Sequence, residues 1–273
     1  MTIQTFDADQ NGERFASLHT GGAFVLANAW DAGSASMLER IGAVAIGTSS
    51  AALASTLSRA DGRGQVSRSE ALDNAALVMI GTTLPVSADL ENGYGRDPEC
   101  CAETIREAIR IGLAGASIED MHGSDEQEIY ELPLAVERIR AAVAVVDDCE
   151  RKFTLTARAE GLLPDASNLD EIIERLLAFE EAGANVLFAP GVEAPDHIQR
   201  VAAALSKPLN VLLPYSSRQN YTLAELQRLG VQRISLGSGV FRASMASAES
   251  AAAKAVHGSF PYGSSPVQKN EGV

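Results

Sequence analysis

Eight short apolar segments alternate with longer amphipathic segments along the chain, and this alternation constrains the fold more than any other feature. The apolar segments are continuous rather than alternating, which is typical of parallel strands that are covered on both faces. The predicted strands are residues 23–30, 43–50, 85–90, 115–120, 153–160, 185–190, 208–214 and 233–239. The predicted helices are residues 33–41, 67–80, 101–111, 132–146, 169–182, 195–205, 222–229 and 241–256.

Four glycines, Gly42, Gly112, Gly183 and Gly230, each follow an apolar helical segment and precede an apolar strand. Glycine accepts the left-handed conformation that ends many helices, so each of them marks a helix-to-strand junction. Eight strand–helix units in 273 residues favour a closed (β/α)₈ barrel of the TIM type over an open α/β sheet. No Gly-x-Gly-x-x-Gly motif follows the first strand, which argues against a dinucleotide-binding fold.

One barrel domain accounts for residues 1–257, including the last helix, and the length requires no second domain. Residues 258–273 are rich in Gly, Ser and Pro, and we expect them to form a flexible tail. Cys100, Cys101 and Cys149 show neither a metal-binding spacing nor the pattern of a disulfide scaffold, so we expect free thiols.

The charge and hydropathy of the chain argue against two classes of partner. The 22 Lys and Arg residues are outnumbered by 36 Asp and Glu residues, whereas a nucleic-acid-binding surface is basic. No apolar run of about 18 residues is long enough to span a membrane, and residues 1–9 are polar, unlike a signal peptide. We therefore expect a cytoplasmic protein whose partner is a small molecule, which can be an anion if the site carries local positive charge.

Acidic side chains follow the third and fourth predicted strands, and in such a barrel the C-terminal ends of the strands build the active site. Asp89 and Glu91 are two residues apart, so both point to one face of an extended strand. Glu119 ends the neighbouring strand, about 4.8 Å away, and Asp61 in the loop after the second strand adds a fourth carboxylate. Oxygen donors without His or Cys favour Mg²⁺, or Mn²⁺, over Zn²⁺. The alternative is a solvated acidic turn.

Arg158 and Glu160 end the fifth predicted strand and share a face by the same spacing. An arginine beside a metal can hold a substrate carboxylate or phosphonate through two hydrogen bonds. The alternative is a structural ion pair between Arg158 and Glu160. Ser49, Ser50 and Ala51 follow the second strand, and their accessible backbone N–H groups can cradle an anionic head group, although small residues also serve close packing.

Six motifs occur in a fixed order along the chain. They are Asn28-Ala29-Trp30-Asp31-Ala32-Gly33-Ser34-Ala35, Gly47-Thr48-Ser49-Ser50-Ala51, Asp61-Gly62, Asp89-Leu90-Glu91-Asn92-Gly93-Tyr94-Gly95, Ser117-Ile118-Glu119-Asp120 and Ala157-Arg158-Ala159-Glu160. Together they resemble the isocitrate lyase/phosphoenolpyruvate mutase superfamily, and the resemblance spans roughly residues 24–244. No single motif among them is specific enough by itself.

The resemblance implies a Mg²⁺ ion at the barrel mouth. It implies that Asp89 binds the ion directly or nearly so, and that Asp61, Glu91 and Glu119 act largely through bound water. The substrate, an oxo-acid or hydroxy-acid, chelates the same ion, so Asp89 also counts among the substrate-binding residues. Glu119 is also a candidate catalytic residue.

The resemblance also implies how the rest of the substrate is held. Ser49, Ser50 and Ala51 hold its carboxylate or enolate oxygen, and Arg158 holds another anionic part and takes part in catalysis. An enolate-like oxyanion is stabilised by the metal and by hydrogen-bond donors. Members of the family tend to form homotetramers in which neighbouring barrels exchange the last helix, so we expect a homo-oligomer, either a tetramer or a dimer.

The loop after the fourth strand departs from the family pattern. Isocitrate-cleaving members carry a catalytic Cys in a Lys-Lys-Cys-Gly-His type of loop, and the mutases carry a Lys and an Asn there. Here the loop comprises residues 121–132; it is short and acidic, and it contains neither Cys nor Lys. His122 is the titratable group of this loop with a near-neutral reference pKa, which makes it the candidate general acid or base. A structural role is the alternative for His122, and Tyr94 and Tyr130 are alternative proton donors.

Three functions are compatible with this pattern. The first is a Mg²⁺-dependent lyase that acts on a small 2-oxo or 2-hydroxy acid through an enolate-like intermediate, by C–C cleavage or decarboxylation. The second is C–P chemistry, as in a phosphonopyruvate hydrolase or a phosphoenolpyruvate mutase, against which the missing loop Lys counts. The third is a barrel that binds an oxo-acid without catalysis, against which the complete set of carboxylates counts.

Overall fold

The computed structural model of the protein describes residues 7–123, 128–161, 169–214, 217 and 219–260. Its parallel strands pair in chain order, and the last pairs with the first to close a barrel. The strands are β1 (Phe24–Asn28), β2 (Ile46–Gly47), β3 (Val86–Asp89), β4 (Gly115–Glu119), β5 (Thr154–Arg158), β6 (Val186–Phe188), β7 (Leu209–Leu212) and β8 (Arg233–Ser235). Each lies within a predicted strand, so the predicted (β/α)₈ barrel is confirmed.

Helices cover the outside of this barrel and one of its ends. They are α1 (Ala8–Leu18), α2 (Ala32–Arg40), α3 (Ser50–Thr56), α4 (Arg68–Ile80), α5 (Pro98–Arg110), α6 (Leu132–Asp147), α7 (Leu169–Glu181), α8 (Pro195–Ala204), α9 (Leu223–Arg228) and α10 (Gly239–Val256). The eight predicted helices are all present with small shifts of their ends, whereas α1 and α3 were not predicted. None of the helices in the described ranges combines the length and the hydropathy needed to cross a membrane.

Helix α1 closes the N-terminal end of the barrel. The Asp7 side chain caps the helix by accepting hydrogen bonds from the backbone N–H groups of Asp9 and Gln10. Phe15 is fully buried, and a Cβ on Gly115 of β4 would lie only 2.9 Å from its ring. Helix α1 therefore closes the barrel at the N-terminal ends of the strands, and the barrel is open at their C-terminal ends.

Strand β2 is shorter than predicted, because the chain turns into helix α3 directly after Thr48. The Ser49 side chain caps this helix by accepting a hydrogen bond from the N–H of Ala52 at 3.3 Å. The prediction that Ser49 and Ser50 belong to a strand spanning residues 43–50 was therefore wrong. The physical reason is the capping serine followed by Ala and Leu, which favours a helix.

The four junction glycines adopt the predicted conformation. Their φ angles are +97° at Gly42, +98° at Gly112, +105° at Gly183 and +94° at Gly230. This confirms that the four glycines mark helix-to-strand junctions, because residues with a side chain rarely adopt a positive φ.

Substitution of two of these glycines by alanine separates backbone strain from steric contact. At Gly42 a new Cβ would meet no atom within 4 Å, whereas at Gly183 it would lie 2.8 Å from Val143 Cγ1. We expect Gly42→Ala to lower the free energy of unfolding by about 1–2 kcal/mol through strain alone. Gly183→Ala should cost more, because Val143 must also move. Urea denaturation checks this order, and equal losses in the two variants would contradict it.

The larger apolar core lies between the sheet and the helices. Side chains such as Leu155, Leu176 and Phe179 are fully buried there. A smaller apolar cluster that includes Phe15, Phe24 and Leu26 lies at the lower end of the barrel, beside helix α1. Above it the inner wall carries several polar side chains, whereas barrels of this class are usually filled there with Val, Ile and Leu. The buried inward-facing residues of this wall include Ser87, Thr156, Asn210, Arg233 and Ser235.

The structure describes all of helix α10 but only the start of the tail. Helix α10 leaves Met245 and Val256 exposed at 52% and 81% of their surface. Exchange of this helix between subunits, and the homo-oligomer itself, stay predictions. Of the predicted tail 258–273, residues 261–273 lie outside the described residues.

Candidate active site

A cavity of about 330 Å³ opens at the C-terminal ends of the strands. This is the end at which barrels of this class place their active sites. Its lining brings together most of the polar residues that the sequence singled out. Those residues are Ser49, Ser50, Ala51, Asp61, Asp89 and Arg158.

Arg158 is surrounded by three carboxylates. Its Nη1 lies 3.2 Å from Glu119 Oε2 and 3.6 Å from Asp89 Oδ2, and its Nε donates a hydrogen bond to Glu160 Oε1. Its guanidinium carbon also lies 5.2 Å from the centre of the Phe188 ring. The predicted contact between Arg158 and Glu160 is present, and Arg158 pairs with the candidate metal ligands as well.

Asp89 ends β3 and is held by the start of helix α3. Its Oδ2 accepts hydrogen bonds from the Ser50 N–H at 3.2 Å and from the Ser50 hydroxyl at 3.0 Å. Its backbone N–H donates to Thr48 Oγ1 at 2.9 Å. Ser50, expected to hold substrate, therefore positions Asp89 in this structure, while its backbone still lines the cavity.

Glu91 does not continue the strand. It adopts a left-handed φ of +44°, and Tyr94 follows with a φ of +60°. The expectation that Asp89 and Glu91 point to one face of an extended strand was therefore wrong, because the strand ends at Asp89. Glu91 is buried at 5% exposure and lines a neighbouring cavity.

The turn that carries Glu91 is held from beneath by Arg138 of helix α6. The Arg138 guanidinium is almost completely buried and donates hydrogen bonds to the backbone carbonyls of Asn92, Gly95 and Arg96. It also lies 4.2 Å from the centre of the Tyr130 ring. These contacts fix a turn whose left-handed residues are unfavourable without external support.

Three acidic side chains of the site, those of Asp61, Glu91 and Glu119, have raised pKa values. Burial and the negative charge of Asp89 raise the pKa of Glu91 to about 8, and the same two causes raise the pKa of Asp61. Burial raises the pKa of Glu119 well above its usual value, although Arg158 opposes this. Burial disfavours the charge on Arg158, but Glu119, Glu160 and Asp89 overcome it and raise the pKa of Arg158 well above its usual value.

His122 lies outside the main cavity. It lines the neighbouring cavity of about 550 Å³ together with Glu91 and Tyr94, and its ring packs against Tyr130 at a centroid distance of 4.2 Å. Its Nδ1 is 3.8 Å from Glu128 Oε2. The Tyr94 hydroxyl is buried and makes no hydrogen bond to the described residues. The roles of His122 and Tyr94 in proton transfer stay predictions.

The donors of the site suit a hard divalent cation. Asp61, Asp89, Glu91 and Glu119 carry the carboxylate oxygens that such a cation prefers, and when all four are ionised their negative charge exceeds what Arg158 can neutralise. Glu160 Oε2 is buried without a hydrogen-bond partner among the described residues. Within the described ranges no three acidic, His or Cys side chains already form a closed metal cage. Arg158 stands between the carboxylates instead, so the residues fit a partly water-mediated site better than a set of direct ligands.

The raised pKa of Glu91 gives the metal-free protein a specific pH dependence. Between pH 4.5 and about 8 the folded protein holds a proton on Glu91 that the unfolded chain has released. The free energy of unfolding should therefore fall as the pH rises through this window. Thermal melts in EDTA at pH 6 and pH 8.5 check this, and Glu91→Gln should show a smaller difference. An unchanged difference in Glu91→Gln would contradict the assignment.

Sequence reasoning missed two buried residues of the cavity. Arg233 and Asn210 line its deep part, at 3% and 1% exposure. Arg233 lies between Gln232 and Ile234 at the start of a predicted buried strand, and a charged residue at such a position is the signal that could have revealed it. Arg233 begins β8, whereas active-site residues of such barrels are expected at the C-terminal ends of the strands.

The fold and the cavity define a (β/α)₈ barrel with an acidic, arginine-containing site at its open end. The model of the phosphoenolpyruvate phosphomutase family matches residues 15–256 of the chain. The chain belongs to this family, and therefore to the isocitrate lyase/phosphoenolpyruvate mutase superfamily of enzymes, as the sequence motifs predicted.

Solved structures and relatives with assigned names agree with this membership. One solved structure is that of a lyase or mutase from Burkholderia cenocepacia J2315. It is 40% identical to this chain with a TM-score of 0.91, and the match covers 96% of this chain and 94% of the other. The structure of oxaloacetate acetylhydrolase with oxalate is 25% identical with a TM-score of 0.85, over 96% and 93% of the two chains. Oxaloacetate decarboxylase of Pseudomonas aeruginosa is 32% identical over 66% of this chain and 62% of that protein.

Proposed function

We propose that this enzyme is a Mg²⁺-dependent lyase that acts on a small 2-oxo or 2-hydroxy carboxylic acid by decarboxylation or another C–C cleavage. The observation that carries the proposal is the excess of buried carboxylates around Arg158 in a cavity at the open end of the barrel. Such an excess is costly unless a cation balances it. The similarity to proteins named oxaloacetate decarboxylase and oxaloacetate acetylhydrolase supports an oxo-acid as the substrate.

Asp89 would hold the cation most directly, and Asp61, Glu91 and Glu119 would hold it through water. When bound, the cation supplies Lewis-acid stabilisation for negative charge that develops on the oxo oxygen of the substrate. Mn²⁺ has the same preference for oxygen ligands and could replace Mg²⁺.

Arg158 and the start of helix α3 would then orient the substrate. In a decarboxylation the bond between the carboxylate carbon and its neighbour breaks, CO₂ leaves, and the electron pair forms the enolate. Arg158 can hold an anionic part of the acid through parallel hydrogen bonds, and the backbone of Ser49, Ser50 and Ala51 lines the wall beside it. The enolate carbon finally takes a proton, for which His122 and Tyr94 in the neighbouring cavity are the candidates.

A thermal-shift screen tests the proposal. Oxalate, pyruvate, malate, 3,3-difluorooxaloacetate and phosphonopyruvate are each added with Mg²⁺ and with EDTA. We expect a carboxylic acid to raise the melting temperature only with Mg²⁺, by an amount that grows with ligand concentration. Turnover of oxaloacetate to pyruvate is then measured by NMR against a Mg²⁺-only control. Stabilisation by phosphonopyruvate alone would favour C–P chemistry, and binding of an acid without turnover of any tested acid would favour a non-catalytic barrel.

A further inference from the structure

Arg233 is a buried cation at the floor of the main cavity. Its side chain starts from β8, and it is 3% exposed while still lining the cavity. Its Nε donates a hydrogen bond to Asn210 Oδ1 at 2.8 Å, and its Nη2 donates to Thr156 Oγ1 at 3.0 Å. Its Nη1 lies 3.4 Å from Nε2 of His19. These contacts fix the guanidinium inside the barrel.

All three partners of Arg233 are neutral. His19 Nδ1 lies 2.8 Å from the carbonyl oxygen of Phe15, which leaves Nε2 of a neutral ring to face the guanidinium. Burial, followed by the charge of Arg233, lowers the pKa of His19 to about 3, so the ring is uncharged at neutral pH. Burial lowers the pKa of Arg233 to about 9, which leaves the guanidinium charged at neutral pH.

Arg158 and Arg233 both line the cavity, but they differ in their surroundings. Arg158 contacts three carboxylates, whereas no Asp or Glu side chain in the described ranges forms an ion pair with Arg233. An isolated buried cation is costly, because the protein interior solvates it poorly. An anion that enters the cavity would offset this cost at Arg233, while at Arg158 it meets a group that is already neutralised.

The guanidinium also has unused donors. An arginine carries five N–H groups, and the contacts to Asn210, Thr156 and His19 account for three of them. The wall between the mouth and the floor is lined by hydroxyls, including those of Ser87 and Ser235. This part of the barrel can therefore accommodate a polar ligand that displaces water.

Arg158 and Arg233 are related through strand β5. Arg233 contacts Thr156, which lies on β5 two residues before Arg158 and on the same face of the strand. Two residues of a parallel strand span about 6.6 Å, which is close to the length of a four-carbon dicarboxylic acid. A ligand with one end near Asp89 and Arg158 can thus place its other end near Arg233.

We propose that Arg233 forms an anion subsite at the floor of the cavity, which binds the second carboxylate of a dicarboxylic oxo-acid. The proposal rests on the function proposed above, because the first carboxylate and the oxo group are taken to lie near Asp89. It assigns to Arg233 the selection of dicarboxylic over monocarboxylic substrates. Asn210 and Thr156 are then positioning residues that orient the guanidinium.

Calorimetry with two metal-chelating probes tests this subsite. Oxalate is too short to reach Arg233, whereas 3,3-difluorooxaloacetate carries a distal carboxylate. Both are titrated in Mg²⁺ into the wild type, Arg233→Met, Arg233→Lys and the exposed control Arg228→Met. We expect Arg233→Met to weaken the longer probe roughly 10- to 100-fold, the range for a hydrogen-bonded charge, and to leave oxalate within about twofold. Arg233→Lys should recover part of the loss.

The results distinguish failure of the Arg233 subsite from failure of the proposed function. Equal weakening of both probes, or no weakening of the longer one, would overturn the subsite while the proposed function stands. If the wild type binds neither probe with Mg²⁺, the proposed function fails and the subsite fails with it. Arg228→Met must bind both probes like the wild type, and thermal melts of all variants show that they fold. If Arg233→Met does not fold, the comparison of Arg233→Lys with the wild type decides the result.

Discussion

Replacing Asp89 by alanine is expected to abolish the stabilisation of the protein by Mg²⁺. Asp89 ends β3 at the cavity, and its carboxylate is held in place by both donors of Ser50. In the wild type, Mg²⁺ at about 100 times its Kd should add about 2.7 kcal/mol to the free energy of unfolding. Asp89→Ala should reduce this gain to near zero and lower turnover by roughly 100- to 1000-fold, the scale of losing one electrostatic stabiliser.

Calorimetry and thermal melts with and without Mg²⁺ measure this effect. Asp73→Ala on helix α4 is the matched control, because it removes the same carboxylate from an exposed position. The charge of Asp89 also helps to raise the pKa of Glu91 and of Asp61. Its removal should therefore lower both, which reduces the pH dependence of the metal-free protein. Unchanged Mg²⁺ affinity in Asp89→Ala would refute the site.

Replacing Arg158 by methionine is expected to be the most damaging substitution in the metal-free protein. The side chain is only 17% exposed and contacts Glu119, Asp89 and Glu160. Its loss leaves buried carboxylates without their cation, which costs about 3–5 kcal/mol. The cost should rise with pH, because the orphaned carboxylates take up protons at low pH and so escape part of the penalty. Oxo-acid affinity should also fall by roughly tenfold or more.

Urea denaturation at pH 6 and pH 8.5 measures the stability part, and calorimetry with oxalate in Mg²⁺ measures the binding part. Arg158→Lys keeps the charge but loses the paired N–H geometry, so it should recover stability more than it recovers ligand affinity. Saturating Mg²⁺ should restore part of the stability of Arg158→Met by neutralising the same carboxylates. If Arg158→Met binds oxalate with the affinity of the wild type, Arg158 has a purely structural role.

The barrel was predictable because its signals are local. Gly42, Gly112, Gly183 and Gly230 mark helix ends through a backbone conformation that the neighbouring residues cannot replace. Helix α1 was not predicted from the sequence, because it buries little apolar surface and Phe15 is its one large buried side chain. Its position under the barrel depends on contacts with strands that lie far away in the sequence.

The sequence identified most of the candidate residues that line the cavity, but not how they are arranged. The spacing of Arg158 and Glu160 correctly predicted their contact, because neither Ala159 nor Glu160 adopts the left-handed conformation that Glu91 does. The same reasoning failed for Glu91, because a strand end is not visible in spacing alone. The support from Arg138 joins residues more than 40 positions apart, so no local pattern could reveal it.

The polar interior of this barrel bears on how such a scaffold can diversify. Stability resides in the apolar layer between sheet and helices, around residues such as Leu155 and Phe179. The inner wall carries small hydroxyl side chains such as Ser87 and Ser235, whose replacement disturbs few of those apolar contacts. Substrate preference and folding are therefore encoded by largely separate sets of residues. A library restricted to the inner wall should retain folded members at high frequency, which makes this chain a favourable starting point for the directed evolution of new lyases.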